Sequence, residues 1–263
     1  MKHRIVIGIG ILMLQAPLGY GQTPTAQARF EVASIKASNP SAPHPGRLVA
    51  VQVVTSPGRL TARNAKLTEL IKGAYVIEDY QVSGGRGWID SARFDVEARS
   101  TDSANRDRLL LMLRTLLAER FKLATHRETK ELAIYALVGA KNGPKFHPLK
   151  ADEAPCWPGC AGAPGKTNHL RQKDLPSLAT FLTRLGSDKP VIDKTGLTGN
   201  FGLELDMSKI METAQSGGGP PTNEGMFEAA VGAIQDELGL KLAPTKAPVE
   251  ILVIDHAEKP SEN

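Results

Sequence analysis

Two cysteines and two histidines form the densest set of reactive side chains in this sequence. His147, Cys156, Cys160 and His169 follow the spacing His-x8-Cys-x3-Cys-x8-His, a donor set that suits tetrahedral zinc. The two arms are long for a structural zinc site, and an oxidising compartment joins thiols rather than leaving them to a metal. The expectation is therefore a disulfide between Cys156 and Cys160 and no bound metal. The loop it closes is too small to add much to global stability.

Several other motifs look catalytic until their spacing is checked. Ala163-Pro164-Gly165-Lys166-Thr167 ends like a phosphate-binding loop, but the position that must be glycine is Cys160, so main-chain amides cannot wrap a phosphate there. Asp193-Lys194-Thr195-Gly196 begins like the phosphorylated aspartate of ion pumps, and the match stops at Leu197. Thr195-Gly196-Leu197-Thr198-Gly199 reads as a turn ahead of a strand. Neither His-Glu-x-x-His nor Gly-x-Ser-x-Gly occurs, and Gly84-Gly85-Arg86-Gly87 lacks dinucleotide-binding spacing. Asp95, Glu97 and Glu204 fall at the solvent-facing positions of alternating strands. No catalytic residue and no cofactor is expected. One binding patch is: Tyr75, Tyr80, Arg86 and Trp88 crowd around the glycine loop in a chain only 5% aromatic, and aromatics with arginine are what binding surfaces use.

The elements that must position these residues read as α+β. Residues 30–36 alternate as a strand, 39–46 form a proline-rich link, and 48–54 with 59–63 flank Ser56-Pro57-Gly58 as a hairpin. Asn64 caps a helix carrying Leu67, Leu70, Ile71, Ala74 and Tyr75. Tyr80-Gln81-Val82 and Phe94-Asp95-Val96-Glu97-Ala98 read as strands. A leucine-rich helix (Leu109, Leu113, Leu116, Leu117) follows, then strands at 121–127 and 132–140. Asp174 caps a helix with Leu175, Leu178, Ala179 and Leu182, and a later helix carries Phe227, Val231, Ile234 and Leu238. Strands at 240–245 and 249–255 close the chain.

Phe94-x-Val96-Glu97 superposes on Phe201-x-Leu203-Glu204, Leu113 on Val231, and Phe121-Lys122-Leu123 on Leu240-Lys241-Leu242. That repetition predicts two tandem, related halves built of helix-strand-strand units, with mainly antiparallel sheet and helices on one face. The expected boundaries are a signal peptide at 1–21, a first half at 22–145, a Gly/Pro-rich linker at 146–168, and a second half at 169–263 with a mobile loop at 208–225. The crevice between the halves is the default pocket.

The N-terminus has the basic, apolar and cleavable order of an export signal. Lys2, His3 and Arg4 precede an apolar run at 5–14, then Ala16-Pro17-Leu18 and Gly19-Tyr20-Gly21, with cleavage expected before Gln22. A run of about ten apolar residues rises only ~15 Å as a helix, half of a bilayer core, so the mature form is expected to be periplasmic or secreted with no membrane span. Removing Lys2 and Arg4 from 32 basic residues against 28 acidic ones leaves a nearly neutral chain. With no Lys/Arg cluster interleaved with aromatics, nucleic acid is not an expected partner.

Phe30-x-Val32-x-Ser34-Ile35-Lys36, Tyr80-Gln81-Val82-Ser83-Gly84-Gly85, Gly87-Trp88, Arg120-Phe121-Lys122-Leu123, residues 191–199 and residues 248–256 together resemble the Solibacter-type family of exported acidobacterial proteins of unknown function. Related domains stand behind BlaR-type sensor metallopeptidases, so the resemblance implies an extracytoplasmic sensing or ligand-binding part. It implies no catalytic residues. The leading expectation is a non-enzymatic module that binds a peptide, envelope fragment or protein partner. The alternative is an extracytoplasmic hydrolase acting on envelope or plant polymers, and self-assembly through exposed strand edges is a third reading.

Overall fold

The computed structural model describes residues 28–38, 53–85, 87–150, 169–172, 174–216 and 219–260. In chain order its elements are β1 (Val32–Ala37), β2 (Val54–Ser56), β3 (Arg59–Lys66), α1 (Leu67–Tyr75), a 3-10 turn (Asp79–Gln81), β4 (Val82–Gly84), α2 (Trp88–Ser91), β5 (Arg93–Arg99), α3 (Arg106–Arg120), β6 (Ala124–Gly139), β7 (His169–Gln172), α4 (Leu175–Gly186), β8 (Val191–Asp193), β9 (Leu203–Asp206), α5 (Met207–Gln215), α6 (Asn223–Leu238) and β10 (Leu240–His256). The fold is α+β, with two sheets of mainly antiparallel strands, a further β7–β9 pair and six helices among the described residues. It divides into two compact units. One comprises Met1–Tyr75, Ala92–Lys122 and Lys259–Asn263, the other Val76–Ser91 and Leu123–Glu258.

In the first unit the sheet runs β1-β5-β3-β2, all antiparallel. Alternation puts Phe94, Val96 and Ala98 of β5 and Leu60 and Ala62 of β3 on the buried side. The register slips between Ala62 and Ala65. There Asn64 takes φ 53° and donates its N–H to the Asp95 carboxylate at 2.7 Å, as in a bulge. Asn64 thus kinks β3 rather than capping α1. Helix α3 begins at Asn105, whose side chain accepts the Arg108 N–H at 3.0 Å. It buries Leu109, Leu113, Leu116 and Leu117 and ends at Phe121, whose ring meets Phe94 edge-on at 5.1 Å.

In the second unit the sheet order is β4-β10-β6-β8. Strands β6 and β10 pair antiparallel along nearly their whole length, from Gly139 opposite Leu240 to His126 opposite Val253, while β4 and β8 add short parallel edges. The sequence reads as two shorter strands in place of each long one, with breaks at 128–131 and at 246–248. The structure joins them, because Pro244 and Pro248 stand opposite Tyr135 and Glu131 at positions whose amides face away from β6, where a missing N–H costs the pair nothing. The ribbon carries a core on each face. Leu137 and Leu240 join Leu178, Leu182, Leu203, Leu205, Ile234 and Leu238, whereas Ile134, Ala247, Val249 and Ile251 cluster with Tyr80, Leu132 and Ile192.

The expected mobile loop at 208–225 is also corrected. Residues 207–215 form α5, because the Asp206 side chain accepts the Ser208 and Lys209 N–H groups and Met207 and Ile210 bury on one side. The segments superposed in the repeat pair differently. β5 is flanked by β1 and β3, while β9 pairs with β7.

Val76 follows α1 with φ 55° and is 61% exposed. A left-handed conformation costs a non-glycine residue ~1–2 kcal/mol, partly offset in glycine by its freer unfolded chain. Val76→Gly should therefore stabilise the protein by ~0.5–1 kcal/mol in denaturant unfolding. A loss of stability, as at an ordinary exposed site, would contradict the strain.

Candidate functional site

The four proposed binding residues divide between the two units and a position outside the described residues. Tyr75 belongs to the first unit, at the end of α1, where the Arg114 guanidinium lies 4.6 Å from its ring centroid and donates to the Ala74 carbonyl at 2.9 Å. Tyr80 and Trp88 belong to the second unit, and Arg86 lies outside the described residues. Tyr80 packs with Val249 and Ile251 on one face of the β10 sheet. Trp88 opens α2, whose Ile89 packs beside Ile254 over Gly85, and Ile254 points to the opposite face from Ile251. Gly85 takes φ 75°, a backbone conformation that strains other residues, and a Cβ would stand 2.8 Å from Ile254 Cδ1. Cys156 and Cys160 also lie outside the described residues.

Around Tyr80 one ion pair was not legible in sequence. Glu78, whose side chain is 19% exposed, binds Arg184 of α4 through two oxygens, at 2.8 and 2.5 Å, the forked geometry that makes such pairs strong. The pair ties the 3-10 turn to α4, residues 106 apart in sequence. Burial first, and the Glu78 charge second, push the Tyr80 phenol above its ordinary 10.0.

The more distinctive feature of this unit is a sheet edge. β8 pairs with β6 only at Tyr135, Ala136 and Leu137, and among the described residues no strand lies along residues 124–133 on that side. The backbone phase of the edge is fixed by β8. The Tyr135 N–H donates to Pro190 O at 2.8 Å and the Leu137 carbonyl accepts from Lys194 N–H at 3.0 Å, so odd-numbered residues of β6 point their amides and carbonyls away from β10. Glu250 confirms the complementary phase in β10: opposite Thr129, its carbonyl is turned outward and accepts from Gln81 Nε2 at 3.4 Å. Arg127, Thr129, Glu131 and Ala133 therefore present a row of outward donors and acceptors.

The side chains along this stretch are charged and accessible. Arg127 pairs with Glu250 across the ribbon, Lys130 Nζ lies 2.5 Å from Glu128, and His126 Nδ1 meets both Asp255 oxygens at 2.8 and 3.0 Å. A histidine oriented by a carboxylate is half of a nucleophile-activating arrangement. Ser83, on the same sheet face, is opposite Val253, which is opposite His126. Two strand spacings, about 10 Å, separate serine from imidazole, too far for proton transfer. The cavities are shallow clefts. One of about 630 Å³ lies between α5 and α6, floored by Ala229, Gly232 and Ala233. Another, of about 410 Å³, gathers Lys141, Lys145 and Lys241. Lys145 Nζ donates to the Asp236 carbonyl at 2.7 Å, the usual place for a cation at a helix C-terminus.

A family model described as protein of unknown function (DUF3738) matches residues 68–257, and the chain belongs to that family. No curated protein and no solved structure matches the chain. No helix among the described residues is long and apolar enough to cross a membrane.

The Tyr80 environment carries a pH signature. Its phenol is raised in the folded state, so unfolded chains lose the proton first, and stability falls as pH rises from about 10 through the folded value. Ultraviolet titration of the tyrosinates should show that Tyr80→Phe removes a step above 10.0. Loss of a step at or below that value would contradict the buried assignment.

Proposed function

We propose that this DUF3738 protein is an exported, non-enzymatic interaction module, periplasmic or secreted, which binds protein by main-chain strand addition rather than by enclosing a small ligand. The observation that carries the reading is the outward row of backbone groups at Arg127, Thr129, Glu131 and Ala133 of β6, along which no strand of the described residues continues beyond a β8 that stops at Tyr135. The neighbouring edge of β10 makes the contrast. Its outward positions hold Pro244 and Pro248, which cannot donate, the usual way of closing an edge. Export follows from the basic and apolar order of residues 2–21. The likeness to domains behind BlaR-type sensor metallopeptidases supports the same class, a sensing part whose output is a contact.

Thr129→Pro separates the edge from the fold, because the Thr129 amide faces outward and its loss leaves the bonds to β10 intact. Panning the mature protein against a random decapeptide library should enrich extended, alternating sequences that bind the wild type and lose at least about tenfold in affinity for Thr129→Pro. No enrichment, or peptides that ignore the substitution, would overturn the reading.

A second reading, an extracytoplasmic hydrolase, is favoured by one observation, the His126–Asp255 pair. It requires that release of fragments from envelope or plant polymers by the purified protein be abolished in His126→Ala. Activity that survives this substitution would end it.

A further inference from the structure

We infer that the first unit carries a separate site, a cavity between β1 and α3 that binds a free α-amino acid with an apolar side chain. The strand-edge reading concerns how the second unit takes up protein. This site goes beyond it and is independent of it, since every residue concerned belongs to the first unit.

The cavity has a volume of about 300 Å³, at the small end of the range for ligand sites. Ala33 shares the buried face of β1 with Ile35, and Met112, Thr115, Leu116 and Glu119 follow one stripe of α3. Phe30, Ala33, Met112 and Leu116 give the cavity an apolar lining. A short hydrocarbon group gains free energy by leaving water for such a surface.

Four charged side chains border the same space, two of each sign. Arg29 and Glu119 satisfy each other at 2.8 Å. Arg120 and Glu31 are left over, and neither forms an ion pair among the described residues. Arg120 stands in the last turn of α3, where the helix dipole favours a cation. That accounts for its sign but not for its Nη2, which is shut off from water and has no hydrogen-bond partner. A guanidinium nitrogen in that state has lost its hydration with nothing in exchange, and a carboxylate is the group whose two oxygens match the guanidinium fork.

Glu31 supplies the opposite requirement. Its N–H is held by the Arg99 carbonyl at 2.9 Å, while the residue itself is exposed at the border of the cavity. An ammonium group is its complement. Thr115 adds a hydroxyl that is only 9% exposed. Its bond to the Leu111 carbonyl is long, at 3.4 Å, so it keeps capacity for a further hydrogen bond. A carboxylate for Arg120, an ammonium for Glu31 and a short apolar group for the lining meet in one small molecule, an apolar amino acid in its zwitterionic form. An acid without the amine sets a second negative charge near Glu31, and an amine without the carboxylate leaves Arg120 unsatisfied.

Isothermal titration of the mature chain with L-leucine, L-valine and L-methionine tests the site. At least one should bind saturably. For leucine the two analogues that each lack one charge, 4-methylpentanoate and leucinamide, should bind at least about tenfold more weakly. Arg120→Leu should lose at least about tenfold in leucine affinity while its thermal midpoint without ligand stays unchanged or rises, because hydrocarbon in place of an unbonded buried donor leaves nothing unsatisfied. An arginine kept only for the fold would lower that midpoint. Should Arg120→Leu fold poorly, two other variants answer independently. Ala33→Leu fills the cavity, leaves both charges in place and should abolish binding. Glu31→Gln should weaken leucine but not 4-methylpentanoate. No binding of any of the three amino acids, equal binding of leucine and its two analogues, or leucine binding indifferent to these substitutions overturns the inference. Peptide capture sensitive to Thr129→Pro is read separately, so failure here leaves the strand-edge reading where it stands.

Discussion

The backbone pairing of β6 with β10 is the constraint from which the second unit follows. It brings residues more than a hundred positions apart into a ribbon spanning nearly the full 16 and 17 residues of the two strands. Because side chains alternate strictly along it, the one register decides both cores. Leu137 and Leu240 go to the face covered by α4 and α6, and Ile134, Val249 and Ile251 go to the face covered by Tyr80. A slip of one residue would exchange these sets and expose both. The same register fixes which backbone groups of β6 are used internally and which are left over, so the open edge is a consequence of the core rather than an accident of the surface.

Local devices hold the connecting segments to that ribbon. Gly239 ends α6 in the left-handed conformation at φ 64°, and a Cβ there would stand 2.1 Å from the Gly143 carbonyl, so only glycine lets α6 turn directly into β10. At Gly84, with φ 82°, a Cβ would stand 2.7 Å from the Ile254 carbonyl. Asp174 and Thr222 cap α4 and α6 by accepting the Ser177 and Gly225 amides at 2.7 and 3.0 Å. Glu78 and Arg184 then tie the turn before β4 to α4. Each device is short-range, and each acts where the long pairing needs its flanks to change direction.

Much of the local structure was legible in the sequence. Alternation at Phe94, Val96 and Ala98, and helical spacing at Leu109, Leu113, Leu116 and Leu117, located β5 and α3 because burial on one side leaves a period in the chain. The caps at Asp174 and the leucines behind it did the same for α4. Pro248 falls in the break read at 246–248, where a proline argues against a central strand unless its missing amide faces outward, and that depends on a partner strand distant in sequence. α5 escaped because its neighbours are rich in glycine and proline, while its own apolar positions, Met207 and Ile210, are few. The site was less legible than the fold. Tyr75, Tyr80 and Trp88 are near in sequence, yet a unit boundary falls after Tyr75 and a sheet lies between the faces that Tyr80 and α2 occupy. The charges at 128–131 read as a break between two strands, and only the register against β10 and β8 gives them a direction.

The phase of β6 is the central claim, and residue-resolved amide hydrogen exchange in dilute solution reads it directly. Inward amides bonded to β10, those of His126, Glu128, Lys130 and Leu132, should exchange slowly, while those of Arg127, Thr129 and Glu131 exchange orders of magnitude faster. The opposite alternation, or fast exchange along both sets, would contradict the ribbon register on which both the fold and the edge depend.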